Sequence, residues 1–271
     1  MVSRQDAGNR GLTTGGKMSE DNYIPLVSVV MPAYNAEKYI EEAIRSVQAQ
    51  TMEKWELIVV DDCSTDSTIQ LVQSIAKDDD RIRLLPNQVN QGAAASRNRA
   101  LNECRGQYVA FLDADDMWQP EKLNVQIEKA EAAHADIVYT SYALIDECGK
   151  KRYHDFIVKE QTSFREMLVR NEIGCLTVLV RRDFLQRYHF PEKIYQEDYA
   201  LWLTLLKDGC KAVGVTDVLA DYRVRAGSRS FNKVKNAKNR WRVYRDYLKM
   251  PFIPSVKAMA GYAVNGLKKY R

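Results

Sequence analysis

One repeated pattern constrains this chain more than any other. A short apolar run is followed by a turn dense in polar side chains, then by apolar residues at helical spacing. Leu26 to Met31, Glu56 to Asp61, Arg81 to Leu85 and Tyr108 to Leu112 are the strand-like runs. Between them, Glu37 to Gln50 carries Ile40, Ala43, Ile44 and Val47 on one helical face. The next helix has Ile69, Val72, Ile75 and Ala76, and Ala93 to Cys104 reads as a third, holding Arg97 and Arg99. Strands alternating with helices predict a parallel sheet wound on both faces. Such sheets bind ligands beyond the carboxyl ends of their strands. The informative stretches are therefore the turns: Pro32-Ala33-Tyr34-Asn35, with Asn35 as a candidate N-cap, then Asp61 to Asp66, Asn87 to Gly92 and Asp113 to Asp116. No Gly-x-Gly-x-x-Gly follows the first strand, which argues against a dinucleotide oxidoreductase.

The fourth turn is the most charged. Asp113, Asp115 and Asp116 fall within four positions, directly after the run that ends at Leu112. Like charges this close repel unless a cation sits among them, and carboxylate oxygens suit Mg2+ or Mn2+. The alternative is an acidic turn leading into the helix that Pro120 opens.

The second half is less regular. Gln119 to His134 reads as a helix, Asp136 to Asp146 as a strand, and Glu147 to Lys150 as a hairpin turn. Ser163 to Glu166 is a capping box, and Leu176 to Val180 is a short strand. Glu197 and Asp198 open an apolar helix, Tyr199 to Leu206, closed by Gly209. Those two acids serve either the helix dipole or a site.

Five scattered cysteines without a Cys-x-x-Cys pair favour a reduced, cytoplasmic protein. The three isolated histidines form no zinc pattern. No run approaches the ~20 apolar residues of a membrane span, and the N-terminus lacks a signal-peptide core. Residues 1–22, rich in Gly, Ser, Thr and charge, read as a disordered tail. Charge is uneven: residues 223–271 carry 14 Lys and Arg against one acid, Asp246, while the remainder is net −9.

That basic tail suggests an anionic partner. Trp241, Tyr244 and Leu248 recur at helical spacing, interleaved with Arg242, Arg245 and Lys249. A second stripe follows in Phe252, Val256, Met259, Ala263 and Leu267, ending in Lys268 to Arg271. Either the apolar stripes pack inward, on this domain or on a second copy in a homodimer, or the helices lie on an anionic membrane surface. No nucleic-acid recognition motif accompanies the basic residues. The expected division is a tail at 1–22, a catalytic domain at 23–232 and a basic amphipathic helical tail at 233–271.

Taken together, Pro32 to Asn35, Asp61 to Asp66, Asn90-Gln91-Gly92 leading to Ser96-Arg97-Asn98, Asp113-Ala114-Asp115-Asp116, and Glu197-Asp198 with Leu201-Trp202 resemble the motifs of the family 2 inverting glycosyltransferases. The resemblance runs from about Leu26 to Phe231. Ile173 to Thr177 and Tyr222 to Arg225 extend it toward bacterial cell-wall and surface polysaccharide enzymes, such as the teichuronic acid glycosyltransferases. It implies the GT-A fold: a Rossmann-like, mostly parallel, doubly wound α/β sheet, here with a C-terminal helical tail. It also implies metal-dependent, inverting hexosyl transfer from a nucleotide-diphosphate sugar, a UDP-sugar, to a saccharide or polyprenyl-diphosphate-linked acceptor. The setting would be cell-envelope polysaccharide synthesis, at the inner face of the cell membrane.

By position, the resemblance assigns Pro32, Ala33, Tyr34 and Asn35 to the nucleotide pocket and Asp62 to the uracil imide. Arg97 would face the diphosphate. Asp113 and Ala114 would lie at the nucleotide sugar, and Asp115 would bind Mn2+ or Mg2+. Asp198 would be the base that deprotonates the acceptor, with Glu197 and Trp202 supporting it or touching the acceptor. One departure stands out. Many relatives carry a His two residues after the Tyr-Arg pair, where this chain has Arg225; Arg cannot ligate a metal but can clamp a diphosphate. The competing readings are a non-catalytic nucleotide-sugar binding protein, a nucleotidyltransferase and a membrane-surface scaffold protein. The Gly-rich, Arg-containing loop of the nucleotidyltransferases is missing after the first strand.

Overall fold

The computed structural model describes residues 23–225 and 233–268. The tail expected at 1–22, the last three residues of the basic C-terminus and the stretch 226–232 lie outside them. The first half alternates as its sequence predicts: β1 (Val27–Ala33), α1 (Ile40–Gln48), β2 (Trp55–Asp61), α2 (Thr68–Ala76), β3 (Ile82–Pro86), α3 (Ala93–Leu101) and β4 (Tyr108–Phe111). Then come β5 (Met117–Trp118), α4 (Lys122–Ala133), β6 (Ile137–Ile145), α5 (Phe164–Val169), a 3-10 turn (Cys175–Thr177) and β7 (Leu179–Arg181). The chain continues with α6 (Arg182–Leu185), α7 (Glu197–Lys207), β8 (Ala212–Arg223), α8 (Lys233–Arg242), a π-helical turn (Val243–Tyr247) and α9 (Phe252–Lys268).

The eight strands of the described residues join one sheet in the order β3-β2-β1-β4-β7-β6-β8-β5. β3, β2, β1 and β4 run parallel. β7 enters antiparallel between β4 and β6, β6 and β8 are parallel, and β5 closes the far edge antiparallel to β8. Successive residues of a strand face opposite sides. Val27, Val29 and Met31 accordingly pack with α1, α2 and α4 on one face, while Val30, Ile58 and Phe111 pack with α3 and α7 on the other. Val243, Tyr244, Leu248 and Ala258 join that second core, so the first C-terminal stripe packs inward.

Local chemistry sets the boundaries. β1 runs two residues further than expected, through Pro32 and Ala33, which pair with Val60 and Asp61 of β2. Proline fits there because β4 pairs with β1 only as far as Val30. The expected N-cap Asn35 does not cap α1, which begins at Ile40. Its backbone is left-handed (φ 47°), and its Oδ1 accepts from the Thr65 N–H at 2.8 Å. Ser163 caps α5 as expected, accepting from the Glu166 N–H. Gly106 before β4 is required by close approach: a Cβ there would lie 2.6 Å from the Ser28 nitrogen. Gly209, at φ 93°, follows α7 and reverses the chain.

Candidate active site

The carboxyl ends of β1, β2 and β4, the starts of α3 and α7, the end of β8 and one face of α8 surround a cleft of about 650 Å³. That is an ordinary size for a small-molecule site. Pro32, Ala33, Tyr34, Asn35, Asp62, Arg97, Asp113, Ala114, Asp115, Glu197, Asp198 and Arg225 all line it. Residues up to 193 positions apart in sequence, Pro32 and Arg225, are thus brought to one place.

At the β1–β2 end, side chains lace the two turns together. Ala36 N–H donates to Thr68 Oγ1 at 2.8 Å, and Ser67 N–H donates to Glu37 Oε2 at 2.9 Å. The acceptor-rich Asp61 to Asp66 turn is therefore used largely for wiring. Tyr34 remains 54% exposed, its ring free to meet a planar group. Asp62 is buried, and its carboxylate accepts from Asn87 Nδ2, Gln91 N–H and Gly92 N–H at 2.7–2.9 Å. It anchors the loop before α3, and a carboxylate's four lone-pair sites leave room for one further donor.

Arg97 lines the cleft, but its charge is committed. It is 4% exposed, donating to Asp113 Oδ1 at 2.6 Å and to Glu197 Oε1 at 2.8 Å. A buried guanidinium needs such partners. The residue expected to face a diphosphate thus also ties the β4 turn to the start of α7, with its Nε left without a partner.

Asp115 is held by Arg225, Nη2 to Oδ2, at 2.7 Å. Burial first, then the charge of Asp113, raises its pKa, and Arg225 opposes the rise. Asp116 is buried and accepts from the Arg223 N–H at 2.8 Å, while its Oδ2 has no partner. Burial and then Asp115 push it well above the usual carboxylate range. This concentration of negative charge is what a divalent cation relieves. Among the described residues no three His, Cys, Asp or Glu side chains form a complete metal cage. Asp113 and Asp115 fit an ion such as Mg2+ or Mn2+ that takes one or two carboxylates and completes its shell with phosphate oxygens.

Asp198 sits half-buried in the first turn of α7, whose next residues are fully buried. Burial, then the neighbouring Glu197, pushes its pKa up to about 6, against the pull of Arg97. A carboxylate tuned there is suited to accept a proton near neutral pH.

Of the two roles expected of Trp202, its position fits support of α7 rather than contact with the acceptor. It is fully buried, its ring centroid 5.8 Å from Phe111 and 5.9 Å from Phe190, and it does not line the cleft. It supports α7 from the core side.

Several lining residues have no role assigned from the sequence alone. Arg223, beside the Arg225 that was singled out, is buried and donates through Nε to the Asp115 carbonyl and through Nη2 to Glu42, each within 2.8 Å. Gln196 adopts φ 74°, costly for a side-chain-bearing residue, just before Glu197. Asn236 and Arg240 reach the cleft from α8. The left-handed Gln196 carries no sequence signal, and the α8 residues were hidden in a generic basic stripe.

The glycosyl transferase family 2 model matches residues 28–188. A Bacillus subtilis (strain 168) protein named for teichuronic acid biosynthesis as a glycosyltransferase is 40% identical, over 92% of this chain and 98% of its own. An Escherichia coli UDP-Glc:alpha-D-GlcNAc-diphosphoundecaprenol beta-1,3-glucosyltransferase is 38% identical, over 92% of this chain and 96% of its own. Among solved structures, S. aureus TarS 1-349 in complex with UDP-GlcNAc superposes with a TM-score of 0.70 at 22% identity, covering 88% of this chain and 71% of that one. A Pyrobaculum calidifontis mannosyltransferase in complex with GDP-Man and Mn2+ gives 0.67 at 20% identity, covering 89% and 70%. The fold is GT-A.

Proposed function

Because the chain belongs to glycosyl transferase family 2, we propose that it transfers a sugar from a UDP-sugar to a polyprenyl-diphosphate-linked saccharide, with inversion, in cell-envelope polysaccharide synthesis. One observation carries this reading. In a single cleft, Asp113 and Asp115 gather opposite a half-exposed Arg225, and Asp198 carries a pKa raised to about 6. The named chemistry of the relatives, a UDP-glucose donor and an undecaprenyl-diphosphate acceptor, supports the substrate classes.

The chemistry follows from the residues. The exposed Tyr34 ring meets the base, and Asp62 accepts its imide hydrogen. Asp113 and Asp115 would hold a divalent cation, Mn2+ or Mg2+, which would supply Lewis-acid stabilisation of the leaving diphosphate. Arg225 clamps those oxygens with paired N–H groups. The acceptor hydroxyl oxygen bonds to the anomeric carbon on the face opposite the diphosphate and passes its proton to Asp198. The anomeric C–O bond breaks, and its electron pair leaves with UDP. One displacement inverts the centre and needs no second carboxylate nucleophile.

The α9 face supports work at a membrane. Phe252, Ile253, Val256 and Val264 are exposed there, 44–66% each. Among the described residues no helix is long and apolar enough to cross a bilayer. An interfacial helix bringing the enzyme to a lipid-linked acceptor fits both facts.

The test is transfer from UDP-, GDP- and dTDP-sugars, with Mn2+ or Mg2+, to a short-chain sugar-diphosphate lipid, read by mass spectrometry and by NMR of the new anomeric proton. A product of inverted configuration from one UDP-sugar is expected. UDP binding without turnover on any donor and acceptor would make the protein a nucleotide-sugar binder instead.

A further inference from the structure

Arg240 projects from α8 into the cleft, 5% exposed. Its guanidinium lies between two tyrosine rings, 4.0 Å from the Tyr199 centroid and 4.3 Å from that of Tyr262. The rings cover its faces, and the Tyr244 hydroxyl accepts a hydrogen bond at its edge. Nε and Nη1 have no hydrogen-bond partner, and among the described residues no carboxylate pairs with Arg240. The Tyr244 hydroxyl, which donates to the Leu168 carbonyl, satisfies only part of the guanidinium. Buried donors on a charged group are rarely left open, and each calls for a partner.

We infer that Arg240 docks the diphosphate of the lipid-linked acceptor, an inference that rests on the transfer reaction proposed above. Guanidinium donors match phosphate oxygens, and a buried cation with open N–H groups selects an anion over a neutral sugar. The position separates acceptor from donor. The donor end of the cleft is built from the β1, β2 and β4 turns, where Arg225 already stands at Asp115. Arg240 instead stacks on Tyr199, the residue after Asp198. The attacking hydroxyl must sit at Asp198, and in a sugar-diphosphate lipid the diphosphate lies one sugar ring from that hydroxyl. Gln196 Oε1, also buried and unpartnered two residues before Asp198, is available to a sugar hydroxyl on the way.

The test compares wild type, Arg240→Met and Arg240→Lys on two acceptors carrying the same sugar. One is a short-chain lipid diphosphate and the other an uncharged alkyl glycoside. Arg240→Met should raise KM for the diphosphate acceptor tenfold or more while kcat moves less than threefold. KM for the uncharged glycoside and UDP affinity should stay within twofold of wild type, and Arg240→Lys should recover part of the loss. Equal loss on both acceptors would reduce Arg240 to a structural clip between α7 and α9. Loss of UDP affinity would move it to the donor. A second measurement needs neither turnover nor a variant: inorganic pyrophosphate titrated by calorimetry into UDP-saturated wild-type protein. Binding that the diphosphate lipid displaces is expected, and no binding would overturn the inference. Wild-type transfer to the uncharged glycoside separates failure of this inference from failure of the proposed reaction.

Discussion

At the scale of single residues, the site is a set of carboxylates whose neighbours decide their roles. Asp113 pairs with Arg97, Asp115 with Arg225, and Asp198 has Glu197 beside it. Asp198→Asn should lower turnover by roughly 10²-fold or more while UDP affinity, measured by titration, stays near wild type. The wild-type pH profile of kcat/KM should rise with pH through about 6, the point to which Asp198 is shifted. A profile flat from pH 5 to 8 would assign the proton to another group. The same shift has a stability sign. The folded-state value lies above the unfolded one, so this carboxyl's contribution to stability is full below about pH 4 and is lost as pH rises through about 6. The neutral Asn variant should therefore melt above wild type at pH 8, with the gap closing toward pH 4. Asp62 makes a second case. Removing its carboxylate frees Asn87 and the Gln91 and Gly92 N–H groups as well as any base contact. Asp62→Ala should weaken UDP binding by about 1–3 kcal/mol, and unchanged affinity would sink the assignment.

At the scale of elements, the two C-terminal stripes part company. Val243 and Tyr244 are fully buried, so the segment after α8 belongs to the core and cannot be cut away without opening it. α9 lays Ser255 and Ala258 inward and leaves Phe252, Ile253 and Val256 outward. A membrane role is therefore better tested by surface changes than by truncation. The Ile253→Asp/Val256→Asp double variant should lose most co-sedimentation with phosphatidylglycerol vesicles at low salt, with little change in melting temperature. If wild type sediments no better than the variant and elutes as a dimer that the variant loses, α9 is a contact between copies instead.

At the scale of the whole molecule, binding couples the cleft to global stability, because its walls come from both halves of the chain. UDP with Mn2+ should raise the melting temperature more than UDP with EDTA. Equal shifts would mean that Arg225 and the protein donors hold the diphosphate without a metal bridge. The Arg225–Asp115 pair adds a corollary: without nucleotide, a cation has to compete with a guanidinium for Asp115.

Much of this architecture was readable from local pattern. The strand and helix order through β4 follows from periodicity and turn chemistry, both properties of neighbouring residues. For the same reason nearly every candidate in the β1, β2 and β4 turns and at the start of α7 reaches the cleft. The second half resisted because its decisive features are long-range. β8 went unread because its alternation breaks where Thr216 and Asp217 bulge out, between the residues that pair with Thr140 and Ser141. The antiparallel entry of β7 depends on which strand edge is free, and a hydrophobic run does not encode that. Trp202 looked like a site residue beside Glu197-Asp198, yet its place in the helix turns it toward Phe111 and Phe190. Sequence by itself determined the fold family and the chemistry of the turns, because those rest on residue type and spacing. Only the tertiary structure decided that Arg97 is a buried tie, that Arg225 sits on Asp115 and that Arg240 enters the cleft, because each depends on partners dozens of residues away.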